Sequence, residues 1–126
     1  CGQVYGANLM PEALVLHAHG HRQPSRLQLQ LAHTPWARLR GLLGYKTLPA
    51  GHGLWLRPCN SVHCWFMRFA IDVIYLDKQQ RVLQIRAQLR PWQLSLCWPA
   101  NSVIEMAAGE CQRLNITAGD QIQCVA

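Results

Sequence analysis

The run Cys59-Asn-Ser-Val-His-Cys-Trp-Phe-Met-Arg-Phe-Ala-Ile-Asp-Val-Ile-Tyr-Leu-Asp77 gathers thiols, an imidazole, a thioether, a cation and carboxylates into an otherwise apolar stretch. A strand that served packing alone has no use for that mixture, because each buried polar group costs free energy unless it finds a partner. Asp72 and, further on, Glu105 are the acids set inside strand-like apolar alternation, and carboxylates are seldom fully buried unless paired. Arg68 is the nearest cation to Asp72, but along an extended chain the two are about 13 Å apart and meet only if the backbone bends between them. One reading is a structural ion pair that fixes a strand crossing. The other is a pocket in which His63, Trp65, Met67, Arg68, Asp72 and Glu105 are presented to a small ligand or a peptide segment.

The same stretch offers two further chemistries. Cys59, His63 and Met67 are soft donors of the kind that suits copper(I). Their spacing stacks them only on a helix, so a metal site on a strand needs a loop here or help from Cys64 and Cys97. A thiol beside His63 is also the beginning of a nucleophilic pair, the basis of a hydrolase reading, although no third orienting group accompanies it. Elsewhere His17, His19 and His21 alternate toward one side of an extended backbone, but Gly20 and the lack of acidic neighbours favour a solvated turn over a metal site.

The elements that must position these groups are mostly strands. Ala13–His17 and Leu27–Leu31 flank a Gly- and Pro-containing turn and read as a hairpin, with Leu27, Leu29 and Leu31 on one face and Gln28 and Gln30 on the other. Thr34 as cap, Pro35 at the first helical position and Gly44 as closing residue predict a short helix over about residues 35 to 43. Leu54–Leu56 is a short strand. In the strand Ile71–Leu76, Ile71, Val73 and Tyr75 face one way and Asp72, Ile74 and Leu76 the other. Asp77–Gln80 turns the chain into a return strand over 81–86. Residues 89–101, with Pro91, Trp92, Cys97, Trp98 and Pro99, read as a long loop whose tryptophans cover the central site. Ser102–Ala107 is a strand with Glu105 between Val103 and Ala107 on one face. A single helical turn at 110–114 and a last strand at 121–125 follow. Cys111 and Cys124 alternate with apolar residues and read as core.

The totals bound the function classes. A chain of 126 residues fits one domain, with residues 1–11 a flexible lead-in or remnant and 12–126 the domain. No apolar run approaches the roughly 18 residues that cross a bilayer as a helix. The net charge of +6 lies wholly in residues 1–70, where seven basic side chains face Glu12 alone, while the remainder balances five against five. A basic face attracts nucleic acid or anionic lipid, yet the chain has no Lys/Arg block and no nucleic-acid motif, so nucleic acid is not an expected partner. The six cysteines lack the C-x-x-C spacing of zinc ribbons or thioredoxin-like sites.

Several ordered motifs carry a resemblance: Arg38-Leu-Arg-Gly-Leu-Leu-Gly44 with Leu48-Pro49, then Gly53-Leu54, His63 and Trp65-Phe-Met-Arg68, Ile71-Asp-Val-Ile-Tyr75, Val103-Ile-Glu105 with Gly109, and Gly119-Asp120. From about Leu27 to Val125 the chain resembles the uncharacterised family known as domain of unknown function number one hundred and ninety-two. Arg57-Pro58-Cys59 and Arg90-Pro91-Trp92 look like its proteobacterial branch. The resemblance implies a mainly β, single-domain fold, a two-sheet sandwich or partly closed barrel with one short helix, and no assigned activity. It favours an extracytoplasmic over a cytoplasmic location. The chain departs from that branch at Cys64, where a small polar residue is usual, at Ala70, where proline is, and at Gln80, where a turn glycine is. The expectation taken forward is a non-enzymatic small-ligand or peptide-binding domain, without a cofactor, whose pocket is built around Arg68, Asp72 and Glu105. The alternatives are a metal or redox protein using Cys59, His63, Cys64 and Cys97, and a hydrolase.

Overall fold

The computed structural model describes residues 12–20, 23–32, 49–57, 61–63 and 69–124, with residues 31, 32 and 61–63 described through their backbone. The elements are β1 (Glu12–Leu16), β2 (Ser25–Ala32), β3 (His52–Leu56), β4 (Ser61–His63), β5 (Ile71–Leu76), β6 (Val82–Leu89), β7 (Leu94–Leu96), β8 (Ser102–Ala107), helix α1 (Glu110–Arg113) and β9 (Gln121–Cys124). Seven strands form one mixed sheet in the order β6-β5-β8-β3-β2-β1-β9, and β4 pairs with β7 in a separate ribbon. The fold is mainly β, as the alternating pattern predicts. The β1–β2 and β5–β6 hairpins pair antiparallel, with Ala13 opposite Leu27 and Tyr75 opposite Gln84. By contrast β2 and β3 run parallel, with Leu29 opposite Gly53, and a parallel pair requires a crossover connection. Residues 33–51 make that crossover, and the helix expected at 35–43 lies outside the described residues.

The sheet curls but does not close. Its edge strands β6 and β9 meet at one end only, through the bridge Arg81–Gln121, with the Val82 amide donating to the Asp120 carbonyl at 2.7 Å and the Ile122 amide to the Gln80 carbonyl at 2.9 Å. Alternation along each strand then divides the apolar residues into two cores. The inner one collects Ala13, Val15, Leu27, Leu29, Trp55, Ile74, Leu76, Ile104, Met106 and Ile122, with Cys111 and Ile116 from the α1 segment. The outer one lies on β3, β5 and β8 and collects Leu54, Leu56, Ile71, Val73, Tyr75, Leu89, Val103 and Cys97. Gly53 lets β3 lie close to its neighbours, since a Cβ there would stand 3.0 Å from the Glu105 carbonyl oxygen and 3.1 Å from side-chain atoms of Leu29 and Met106. The Tyr75 hydroxyl donates to Ser95 of β7 at 2.7 Å and so ties the ribbon to the outer face.

The structure differs from the sequence reading at the 89–101 stretch and at Cys124. The stretch 89–101 is not one long loop: β6 runs on to Leu89, which pairs with Ile71 beyond a register shift, and β7 is a strand too short to show a period. Trp92 and Trp98 within it are 64% and 78% exposed. Cys124 is not simply a core thiol but one half of a disulfide, whereas Cys111 is free and buried as expected. Gln80, where the resembled branch carries glycine, adopts φ 65, a left-handed conformation that an L side chain disfavours.

Asp72 is the polar tie of the inner core. It is 1% exposed, and its carboxylate accepts hydrogen bonds from the backbone amides of Gln88 at 2.9 Å, Gly109 at 3.1 Å and Cys111 at 3.0 Å. Gln88 and Gly109 both have positive φ, so one acid holds the irregular end of β6 and the left-handed entry to α1 together. Replacing it by asparagine would turn an NH2 group toward amide donors. Asp72→Asn should therefore lower the unfolding free energy by about 3 kcal/mol in urea titration, since each buried donor left without an acceptor costs about 1–3 kcal/mol. An unchanged midpoint would show that the three contacts do not hold the fold.

Candidate functional site

Strand register decides which site candidates can meet. In the β5–β8 pair Val73 stands opposite Glu105 and Asp72 opposite Met106; in the β3–β8 pair Leu54 stands opposite Glu105. Directly opposed residues share a face. Glu105 therefore lies on the outer face with Val73 and Leu54, while Asp72 lies on the inner face with Met106 and reaches Cys111. The two carboxylates are on opposite sides of the sheet and do not form one pocket. Asp72 is occupied by its three amides. Burial above all, then the negative charge of Asp72, pushes the Cys111 thiol well above its ordinary value.

Glu105 has a different environment. Along β8 its face continues with Val103 and Ala107, and Ile71, Leu89 and the half-buried Phe69 belong to the same outer core. It is 7% exposed, and among the described residues no cation or hydrogen-bond donor meets its carboxyl. Burial pushes that carboxyl up to about 7. The group is thus poised between acid and carboxylate near neutrality, able to donate a proton to a ligand or to hold a positive charge.

The remaining candidates fall as follows. His63 is the last residue of β4 and pairs with Leu94, which places its backbone in the ribbon tied by Tyr75 and Ser95 to the outer face, the side that Glu105 occupies. Cys97 is free and buried in the outer core. Cys59, Cys64, Trp65, Met67 and Arg68 lie outside the described residues. His17 is bound to the Asp120 carboxylate at 3.2 Å and to the Ser25 hydroxyl at 3.0 Å. Among the described residues no three His, Cys, Asp or Glu side chains gather as a metal set.

Sequence reasoning placed Asp120 only in a family motif and gave Glu110 no role; both are buried. Asp120 accepts from the Ala18 and Thr117 amides, each at 2.9 Å, and helps close the open end of the sheet. Glu110 joins Arg113 to the Gly51 amide, and the Arg113 guanidinium holds its carboxyl below the usual range. Acids beside turn glycines, at Gly109-Glu110 and Gly119-Asp120, were the available signal. A shallow groove of about 540 Å3 beside α1, lined by Ile85, Ala87, Cys111 and Ile116 among others, contains none of the expected site residues.

With the geometry in hand, the comparisons bear on ancestry and fold. A UPF0127 protein of Thermococcus sibiricus is 31% identical over 102 residues, covering 75% of this chain and 64% of that protein. A UPF0127 protein of Pyrococcus furiosus is 36% identical over 64 residues, covering 50% of this chain and 54% of that one. The matches thus span little more than half of these relatives' lengths. Among solved structures, a protein of unknown function from Novosphingobium aromaticivorans superposes with a TM-score of 0.79 at 22% identity, covering 89% of this chain and 83% of the other. A candidate transcription regulator from Sinorhizobium meliloti superposes with a TM-score of 0.84 at 20% identity, covering 98% of each. At these identities the superpositions show a shared fold. The family profile described as "Uncharacterized ACR, COG1430" matches residues 15–124, and the chain accordingly belongs to that family, DUF192.

Proposed function

We propose that this chain is a binding domain for a small ligand or peptide segment that carries a basic group, with Glu105 as the recognition carboxyl. The observation that carries the reading is a buried carboxyl set among apolar residues, with no counter-charge among the described residues and a proton affinity raised to about 7. A purely structural acid gains nothing from such a place; Asp72, 1% exposed and bound to three amides, shows what a structural acid looks like in this same sheet. His63, Trp65, Met67 and Arg68 complete the proposed site, because they lie on the segment that leaves the ribbon and arrives at Phe69, which packs on Glu105's face. Asp72 is not part of it.

Linkage gives a first test. Because burial raises the Glu105 carboxyl from 4.5 to about 7, the folded protein holds that proton more tightly than the unfolded chain does. The resulting stability is complete below about pH 4.5 and is lost as pH rises through 7, a change of about 3 kcal/mol. Glu105→Gln should remove that loss: the stability difference between variant and wild type, measured in urea at pH 5 and pH 8, should swing by about 3 kcal/mol in favour of the variant. A variant destabilised equally at both pH values would mean that Glu105 is a structural partner.

The second test uses a cation as probe. Thermal unfolding at pH 8 should shift upward with n-butylammonium or n-butylguanidinium and not with n-butanol. Glu105→Gln should abolish the shift, whereas Arg68→Ala, which removes a like charge, should not weaken it. No shift with either cation, or an equal shift in the Glu105 variant, would sink the proposal.

A further inference from the structure

The alternation of β7 is inverted. Ser95 and Cys97 face the protein, the first bound to Tyr75 and the second in the outer core, while Leu94 and Leu96 face outward at 66% and 53% exposure. Trp92 and Trp98 extend this row at either end, at 64% and 78% exposure. Trp92, Leu94, Leu96 and Trp98 thus form an exposed apolar stripe along this segment. A strand that needed only to pack would present its leucines inward and its serine to water.

A second observation concerns the turn that displays the stripe. Arg90-Pro91-Trp92-Gln93 is closed by the Gln93 amide donating to the Arg90 carbonyl at 3.1 Å, and Trp92 sits in it at φ 68. That is the turn position where glycine is the low-energy choice. Left-handed backbone at a bulky residue costs about 1–3 kcal/mol and clusters at functional positions. Here the strained backbone carries an indole that is 64% exposed.

We infer that this stripe docks on the surface of an anionic lipid bilayer. The charge around it fits. Arg86 and Arg90 are both exposed, and the stretch between Asp77 and Glu105 carries no acid. Arg86 is paired with Val73 and so lies on the outer side of the sheet, where the ribbon is; Arg90 opens the turn that carries Trp92. The order of side chains also fits. Indoles favour the headgroup level and leucines the hydrocarbon beneath it, so tryptophan at both ends with leucine between matches the depth profile of an interface. Single-stranded nucleic acid would share the charge preference, but leucines offer its bases no face to stack on. Surface association needs no spanning segment, and among the described residues no helix is long and apolar enough to cross a membrane.

The test is co-sedimentation of the full chain with vesicles of phosphatidylcholine alone and of phosphatidylcholine mixed with phosphatidylglycerol. The partition coefficient should rise about thirtyfold with the anionic lipid, the order expected when two arginines contribute about 1 kcal/mol each. Tryptophan emission should shift to the blue on binding. The double substitution Trp92→Ala, Trp98→Ala should reduce binding to both vesicles, and Arg86→Ala with Arg90→Ala should reduce it to anionic vesicles only. Circular dichroism and the unfolding midpoint, with the substituted side chains all exposed, report that the variants remain folded. No sedimentation with either vesicle overturns the inference. So does self-association in the absence of lipid that the tryptophan substitutions abolish, which would make the stripe an interface between copies of this chain.

Discussion

The carboxylate of Asp72 is the constraint on which the sheet's irregular parts depend. Three backbone amides, from the end of β6 and from the entry to α1, converge on it inside the inner core. None of the three can be satisfied by a strand partner, because two of the residues concerned, Gln88 and Gly109, have left-handed backbone and the third opens a helix. Buried amides without acceptors are costly, so an acceptor side chain at this point is what permits β6 to break register and the chain to enter α1. Asp120 does the same at the opposite edge, accepting from Ala18 and Thr117 where β9 approaches β6.

Against these saturated acids Glu105 stands apart. It occupies a central strand, faces an apolar layer and meets no donor among the described residues, and burial raises its proton affinity to about 7. The contrast within one sheet is informative because the scaffold supplies its own control. Where an acid is needed for the fold, it is met by amides; where it is set among hydrocarbon, its ionisation destabilises the fold.

The β4–β7 ribbon connects these features. Its inward serine is anchored by Tyr75, so that one strand both roofs the outer core and turns a tryptophan-bounded stripe outward.

Much was legible in the residues alone. Alternation at Leu27-Gln-Leu-Gln-Leu31, at Ile71–Leu76 and at Ser102–Ala107 determined the strands and the faces of Asp72 and Glu105 within each, because side-chain direction along a strand is a local property of period two. The motifs from Arg38 to Asp120 determined the family. What the chain could not reveal is how the face of one strand relates to that of another. That is decided by register, in which Val73 rather than Asp72 stands opposite Glu105, and a shift of one residue would have put both acids on the same side. For the same reason the outward set of Leu94 and Leu96 was hidden: three residues of strand carry too little period to orient themselves, and only the hydrogen bond from Tyr75 to Ser95 settles which side of β7 faces the core.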